Sequence, residues 1–241
     1  MERLSTGQRI NSAGDDAAGL AISSKMTSQI NGLNMAVRNA NDAISMIQTV
    51  DGAAIEITNM LQRMRELAVQ AASGTMSSTD VTALDTEFLQ LRAQINDIAD
   101  DTTWNGVAVM SGGSAVGDYG KFSFQVGANA SQTIDVNFGD WNTAASAGST
   151  AFSTGSAAND SLGRDISAYN VNDGSIITNL SSTIDDVNTA RATYGAVINR
   201  LEYAVDNLSN TSQNVSASRS RVLDADYALE TTELARTQII Q

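Results

Sequence analysis

The 241-residue chain is 42% apolar, enough to bury a core, and carries a formal charge of −13 from 14 basic and 27 acidic side chains. That balance argues against nucleic acid and anionic membrane as partners, because neutralising phosphates needs clustered Lys and Arg. No stretch approaches the ~20 consecutive apolar residues that cross a bilayer. The start, Met1-Glu2-Arg3-Leu4-Ser5-Thr6, lacks the basic-then-apolar pattern of a secretory signal. With no Cys there is no disulfide framework, and with no His the commonest general base and metal ligand are missing. Aromatics make up only 5%, so packing has to rely on small side chains and aliphatic seams.

The first element is a long helix. From residue 30 to 71 there is no Pro, and Leu33, Ala40, Ile47, Ala54, Leu61 and Ala68 recur at spacing seven. Ile30, Val37 and Ile44 flank this seam early; Val50, Ile57, Met64 and Ala71 flank it later. Asp15 and Asp16, just before Ala17-Ala18-Gly19-Leu20, read as capping and first-turn partners of the helix dipole. Ser73-Gly74-Thr75 ends the run. A second helix starts near Ser77 or Ser78 with Asp80 in its first turn, follows Val81, Leu84, Phe88, Leu91, Ile95 and Ile98, and closes at Asp100-Asp101-Thr102-Thr103.

The period then changes to two. Phe122, Phe124 and Val126 alternate with polar residues, as do Ile134, Val136 and Phe138, and Gly127 to Ser131 joins the two runs as a hairpin loop. Residues 141–174 are rich in Ala, Ser, Thr, Gly and Asn and form a small surface module. The last third returns to spacing seven at Leu180, Val187, Tyr194, Leu201, Leu208, Val215 and Val222. Its companion position holds Ile177, Ile184, Ile198 and Val205 but is polar at Arg191, Ser212 and Arg219, so the seam loosens toward its far end. Neither terminal stripe can bury itself, and each matches the other. The expected fold is therefore mainly α with a small β part: an elongated antiparallel helical bundle or coiled-coil rod from 1–105 and 175–241, a β-hairpin region at 106–140, and the module at 141–174 inserted between the terminal segments.

Several blocks in this order resemble bacterial flagellin, the subunit of the flagellar filament. They are Glu2-Arg3-Leu4-Ser5-Thr6-Gly7 with Arg9-Ile10-Asn11-Ser12-Ala13, Asp15-Asp16-Ala17-Ala18-Gly19, Arg38-Asn39-Ala40-Asn41-Asp42, and Leu61-Gln62-Arg63 with Arg65-Glu66-Leu67-Ala68-Val69-Gln70. Further along come Asn105-Gly106-Val107, Gln125-Val126-Gly127-Ala128-Asn129, and Ser218-Arg219-Ser220-Arg221 with Asp224 and Asp226-Tyr227-Ala228. The resemblance implies an extracellular structural subunit for motility that self-assembles through helix faces. It also implies an export chaperone, cap proteins and the vertebrate innate immune receptor for flagellin as further partners. It implies family segments beyond both ends of this chain, which carry export and polymerisation determinants, so that the chain as given stays soluble and assembles poorly.

Arg63, Leu67 and Gln70 stand at i, i+4 and i+7 and so share one helix face, at roughly right angles to the Leu61, Met64, Ala68 and Ala71 stripe. Leu67 is then an apolar residue on a polar face. By the resemblance, this face contacts both a neighbouring subunit and the immune receptor, and Glu87 on the next helix matches a further receptor position, although Leu91 and Arg92 beside it depart from the family pattern.

Other readings of the same residues are weaker. The pairs Asp15-Asp16, Asp100-Asp101, Asp185-Asp186 and Asp224-x-Asp226 lack the spaced loop of a calcium motif and read as solvated helix ends. Arg219, Arg221, Asp224 and Asp226 are expected to form ion pairs between helices or subunits. Ser or Thr nucleophiles would need Lys25, Lys121 or a carboxylate as base, none in a recognisable motif, so no enzyme, metal or cofactor is expected. A separate reading is a cell-surface protein that binds a polysaccharide through its projecting 106–174 region, using Tyr119, Trp141, Phe152 and Tyr169 as ring platforms.

Overall fold

The computed structural model describes residues 2–111, 120–141, 171 and 175–240. Of these described residues 73% are helix and 9% strand. A short helix α1 (Glu2–Thr6) precedes the long α2 (Ala17–Ala71) and α3 (Ser78–Asp101); strands β1 (Thr103–Trp104), β2 (Val107–Ala108), β3 (Lys121–Gln125) and β4 (Thr133–Asn137) follow; α4 (Ile176–Leu223) and α5 (Tyr227–Ile240) complete the chain. Two compact units result, one of residues 1–41, 125–133 and 202–241, the other of 42–124 and 134–201. The module at 141–174 lies outside the described residues except for Trp141 and Val171.

Within each unit α2 and α4 pair antiparallel. In the first, Arg219 Nη1 donates to Thr27 Oγ1 and Ser212 Oγ to Asn34 Oδ1, seven residues apart on both helices. In the second, Arg191 Nε meets Asp51 Oδ1 at 2.7 Å and Arg65 Nε donates to Ser181 Oγ at 3.0 Å. The expected seam from Leu33 to Ala68 is buried along its whole length.

Its companion positions differ from the sequence reading in the early half. Ala36 and Ala43 are buried, whereas Val37 and Ile44 are only half-buried; Ile30 does lie inside. Seam and companion positions from Leu33 to Ala71 are thus buried in alternating steps of three and four, with Met46, Thr58 and Leu67 buried beside them. The same correction holds on α4, where Thr183 and Ala190 are buried and Ile177, Ile184, Ile198 and Val205 are half-buried. The reason is geometric. Small side chains at the companion positions let the two backbones approach, which pushes the larger neighbours to the rim. Leu180 to Leu201 are fully inside, and Leu208, Val215 and Val222 half-buried, so the seam does loosen toward its end.

In the unit holding residues 1–41, the two ends of the chain meet. Asp16 caps α2 by accepting from the Gly19 amide at 2.9 Å. Asp15 does not cap the helix; its Oδ2 instead accepts from the Asn11 and Ser12 amides and closes the preceding turn. Residues 7–9 run antiparallel to 223–225: Arg9 N donates to Leu223 O, Ala225 N to Gly7 O, and the Arg9 guanidinium to Val222 O at 2.9 Å. A cation thus sits on the last carbonyls of α4, where the helix dipole favours it. Asp226 then caps α5 by accepting from Ala228 N and Leu229 N.

The expected ion pairs of this segment are not formed among the described residues. Arg219 reaches Thr27, Arg221 reaches Ser218 Oγ, Asp224 accepts from Ser220 Oγ, and Asp226 serves the backbone. A helix end leaves backbone amides without partners, and a nearby short carboxylate satisfies them at less entropy than a long-range pair.

In the other unit the small β part packs on α4. β1 and β2 were not expected from the alternation; they form a two-residue hairpin with Thr103 opposite Ala108, turned by Asn105 and Gly106 at φ +50° and +78°. Asn-Gly is the sequence signal for that turn. On β3 and β4 the expected alternation holds, with Ile134 and Val136 buried and Phe122 and Phe124 half-buried. Phe138 stands between Phe122 and Tyr194 at ring-centroid distances of 5.5 and 5.6 Å. Its carbonyl accepts from both Trp141 Nε1 and Tyr194 Oη. Burial pushes the Tyr194 phenol well above the usual tyrosine range.

α3 begins with a capping box. Ser77 Oγ accepts from Asp80 N, and the Asp80 carboxylate accepts from the Ser77 hydroxyl and amide. Those bonds, the side-chain one first, hold the Asp80 carboxyl below its ordinary value. A depressed folded pKa stabilises above the unfolded value of ~3.9 and loses its effect as pH falls through the folded one. Acid titration followed by amide exchange should therefore show the first turn of α3 opening over that range in the wild type, with Ser77→Ala flattening the dependence. Ala43→Leu should cost about 1–3 kcal/mol in chemical denaturation, because its position lies inside the seam and has no room for three further carbons.

Candidate functional site

The face singled out in the sequence lies where α2 and α3 pass each other. The capping box fixes the start of α3, and Phe88, Ile95 and Ala99 bury its inner side. This brings Glu87 opposite Arg63. Arg63 Nε and Nη2 both reach Glu87 Oε1 at 2.9 Å, while Nη1 reaches Glu66 Oε2 at 3.1 Å. The hydrogen bond to Glu87, then that to Glu66, hold the guanidinium above its ordinary pKa, so it stays charged at any working pH. The Arg63 and Glu87 side chains are 49% and 44% exposed. Such a pair contributes little stability and instead fixes where the charges stand.

Gln70 is exposed two turns beyond Arg63. Leu67 is not: it is 0% exposed, which overturns the reading of an apolar residue on a polar face. Treating α2 as having a single buried stripe misplaced it. Arg63, one turn earlier on the same side, is tied to α3, so α3 passes over that side and α2 buries a second face at right angles to its seam with α4. The uncovered apolar residue here is Val69, 50% exposed beside Gln70. Val69 and Glu66 were missed in the sequence. The i, i+3 spacing of Arg63 and Glu66 was the available signal for the latter; an exposed Val carries none.

The proposed saccharide platform fares differently. Trp141 is buried, with its indole N–H bonded to Phe138 O at 2.7 Å, so it is part of the core under the hairpin and offers no ring face. Tyr119, Phe152 and Tyr169 lie outside the described residues.

A family model described as the bacterial flagellin N-terminal helical region matches residues 1–115, and one described as the bacterial flagellin C-terminal helical region matches 177–241. A flagellin from Halalkalibacterium halodurans is 41% identical over 240 residues, covering 100% of this chain and 82% of its own length. The chain belongs to the bacterial flagellins. A Bacillus subtilis flagellin is 39% identical over 255 residues, covering 100% of this chain and 84% of its own. The crystal structure of Bacillus cereus flagellin superposes with a TM-score of 0.55 at 31% identity, over 76% of this chain and 94% of that one. A flagellin is a structural subunit of the flagellar filament, and that is the role of this chain. No described helix is long and apolar enough to cross a membrane.

Leu67→Ala should lower the stability of the monomer by about 2–5 kcal/mol in urea unfolding. A purely surface Leu would leave it unchanged.

Proposed function

We propose that the α2–α3 surface bearing Arg63, Gln70 and Glu87 is a contact between neighbouring subunits in the extracellular filament. The supporting observation is the charged clamp itself, in which Arg63 joins Glu66 and Glu87 across two helices. It presents charges of fixed position beside the uncovered Val69 and Gln70, and fixed position is what a repeated contact needs. Leu67 acts from beneath, setting the distance between α2 and α3. The same surface is the one the vertebrate innate immune receptor for flagellin would engage, and an export chaperone and cap proteins would handle the subunit on its way to the filament end. The chain works by contact and not by turnover.

The test compares Arg63→Glu, Glu87→Arg and the double exchange in the full-length flagellin. All three should keep the melting temperature of the monomer within a few degrees while lowering filament yield, scored by electron microscopy, about tenfold or more. The double exchange restores the clamp within a subunit but not its polarity toward a neighbour, so it should stay defective. Wild-type yield from all three would rule this surface out. In a receptor reporter assay the same variants should raise the half-maximal concentration by a similar factor.

A further inference from the structure

The described helices contain four glycines, and they fall into two kinds. Gly19 and Gly32 face close neighbours. A Cβ at Gly19 would lie 2.5 Å from Asp16 Oδ2 and 2.6 Å from Ile10 Cδ1, and one at Gly32 would lie 3.1 Å from Ala128 Cβ. Gly52 and Gly195 do not, since a Cβ at either meets nothing within 4 Å, and neither has a positive φ. Both are exposed on the outer sides of their helices.

These two unexplained glycines stand opposite each other. Arg65 contacts Ser181 across the α2–α4 pair. Gly52 is thirteen residues before Arg65 and Gly195 fourteen after Ser181 on the antiparallel helix, so their levels agree within about 1.5 Å, one residue of helix rise. At this level the inner side is firmly closed: Val50, Ala54 and Tyr194 are buried, and Asp51 and Arg191 form the 2.7 Å pair that holds the register. The outer side of each helix has a residue that weakens helical backbone and fills no space.

We infer that Gly52 and Gly195 form one compliant level of the α2–α4 pair, at which the two helices flex together while their seam stays shut. Bends in long helices concentrate where a residue lacks side-chain constraint, and two such residues at one level add where two at different levels would be stiffened by the partner helix. The Asp51–Arg191 pair keeps the seam from slipping as the outer faces lengthen or shorten. In a subunit carrying load within a filament, this lets a long helix pair follow curvature without exposing its core.

Native-state hydrogen exchange on the whole chain distinguishes this from two independent weak residues. In the wild type, amides of 48–56 and 191–199 should exchange roughly fivefold faster than those of the adjoining turns, the factor expected from replacing Ala by Gly in a helix. Gly52→Ala should slow exchange in 191–199 as well as in 48–56, and Gly195→Ala should do the reverse, whereas Gln48→Ala on the same helix should leave α4 unchanged. Protection gained only in the substituted helix would overturn the inference, as would even exchange along both wild-type helices. Gly32→Ala serves as the contrast: its Cβ would lie 3.1 Å from Ala128 Cβ, far from this level, and it should leave exchange in 48–56 and 191–199 unchanged.

Discussion

Each of the two long helices carries an apolar stripe that it cannot cover alone, and burying α2 against α4 is the constraint to which the rest of the chain answers. The seam is built less from bulk than from closeness. Ala36, Ala40, Ala43 and Ala54 on α2 and Thr183 and Ala190 on α4 are buried at positions where larger residues would hold the backbones apart. With few aromatics and no disulfide available, close approach over many turns replaces the large anchors of a globular core. Ile44 and Ile184 then seal the rim and shield the seam from water.

What the seam leaves uncovered defines everything else in the unit holding residues 42–124. Tyr194 belongs to the stripe, yet its hydroxyl reaches the Phe138 carbonyl, so the hairpin is attached to the seam residue itself. α3 takes a second side of α2, where the Arg63–Glu87 pair crosses between the helices and Leu67 is buried one turn away. The exposed charges of that surface are therefore positioned from within. The capping box at Ser77 fixes where α3 begins, and Arg63 reaches the carboxylates of Glu66 and Glu87 placed within its fork. Buried supports of this kind return the same charges to the same place in every copy of the chain.

The ends of the helices show a different use of polar residues. The charged residues at 219–226 look in sequence like material for ion pairs, but Asp226 serves amides at the start of α5, as Asp16 does at the start of α2, and Arg9 serves carbonyls at the end of α4. An isolated surface pair gains little, whereas an unpartnered backbone group at a helix terminus has a cost wherever water is displaced. Residues 7–9 crossing 223–225 follow from the same need, with chain segments distant in sequence completing each other's hydrogen bonds.

The amino-acid sequence alone determined the three longest helices, the seven-residue stripes from Leu33 to Ala68 and from Leu180 to Leu201, the antiparallel pairing they require, the start of α3 near Ser77 or Ser78 and the alternation of the hairpin. All of these are periodic or local, so single residues and their near neighbours suffice to specify them. Blocks such as Arg63 with Arg65 to Gln70 and Asn105 to Val107 also carried the family, because many short matches in one order constrain it jointly. Tertiary structure decided which neighbour of each seam residue lies inside, that Leu67 is buried, that Trp141 belongs to the core, and that Asp226 caps α5. Those outcomes depend on how near two helices approach and on whether a third one passes over a given face. Period seven fixes the direction of a stripe but not its width, and the width is set only when the partners are in place.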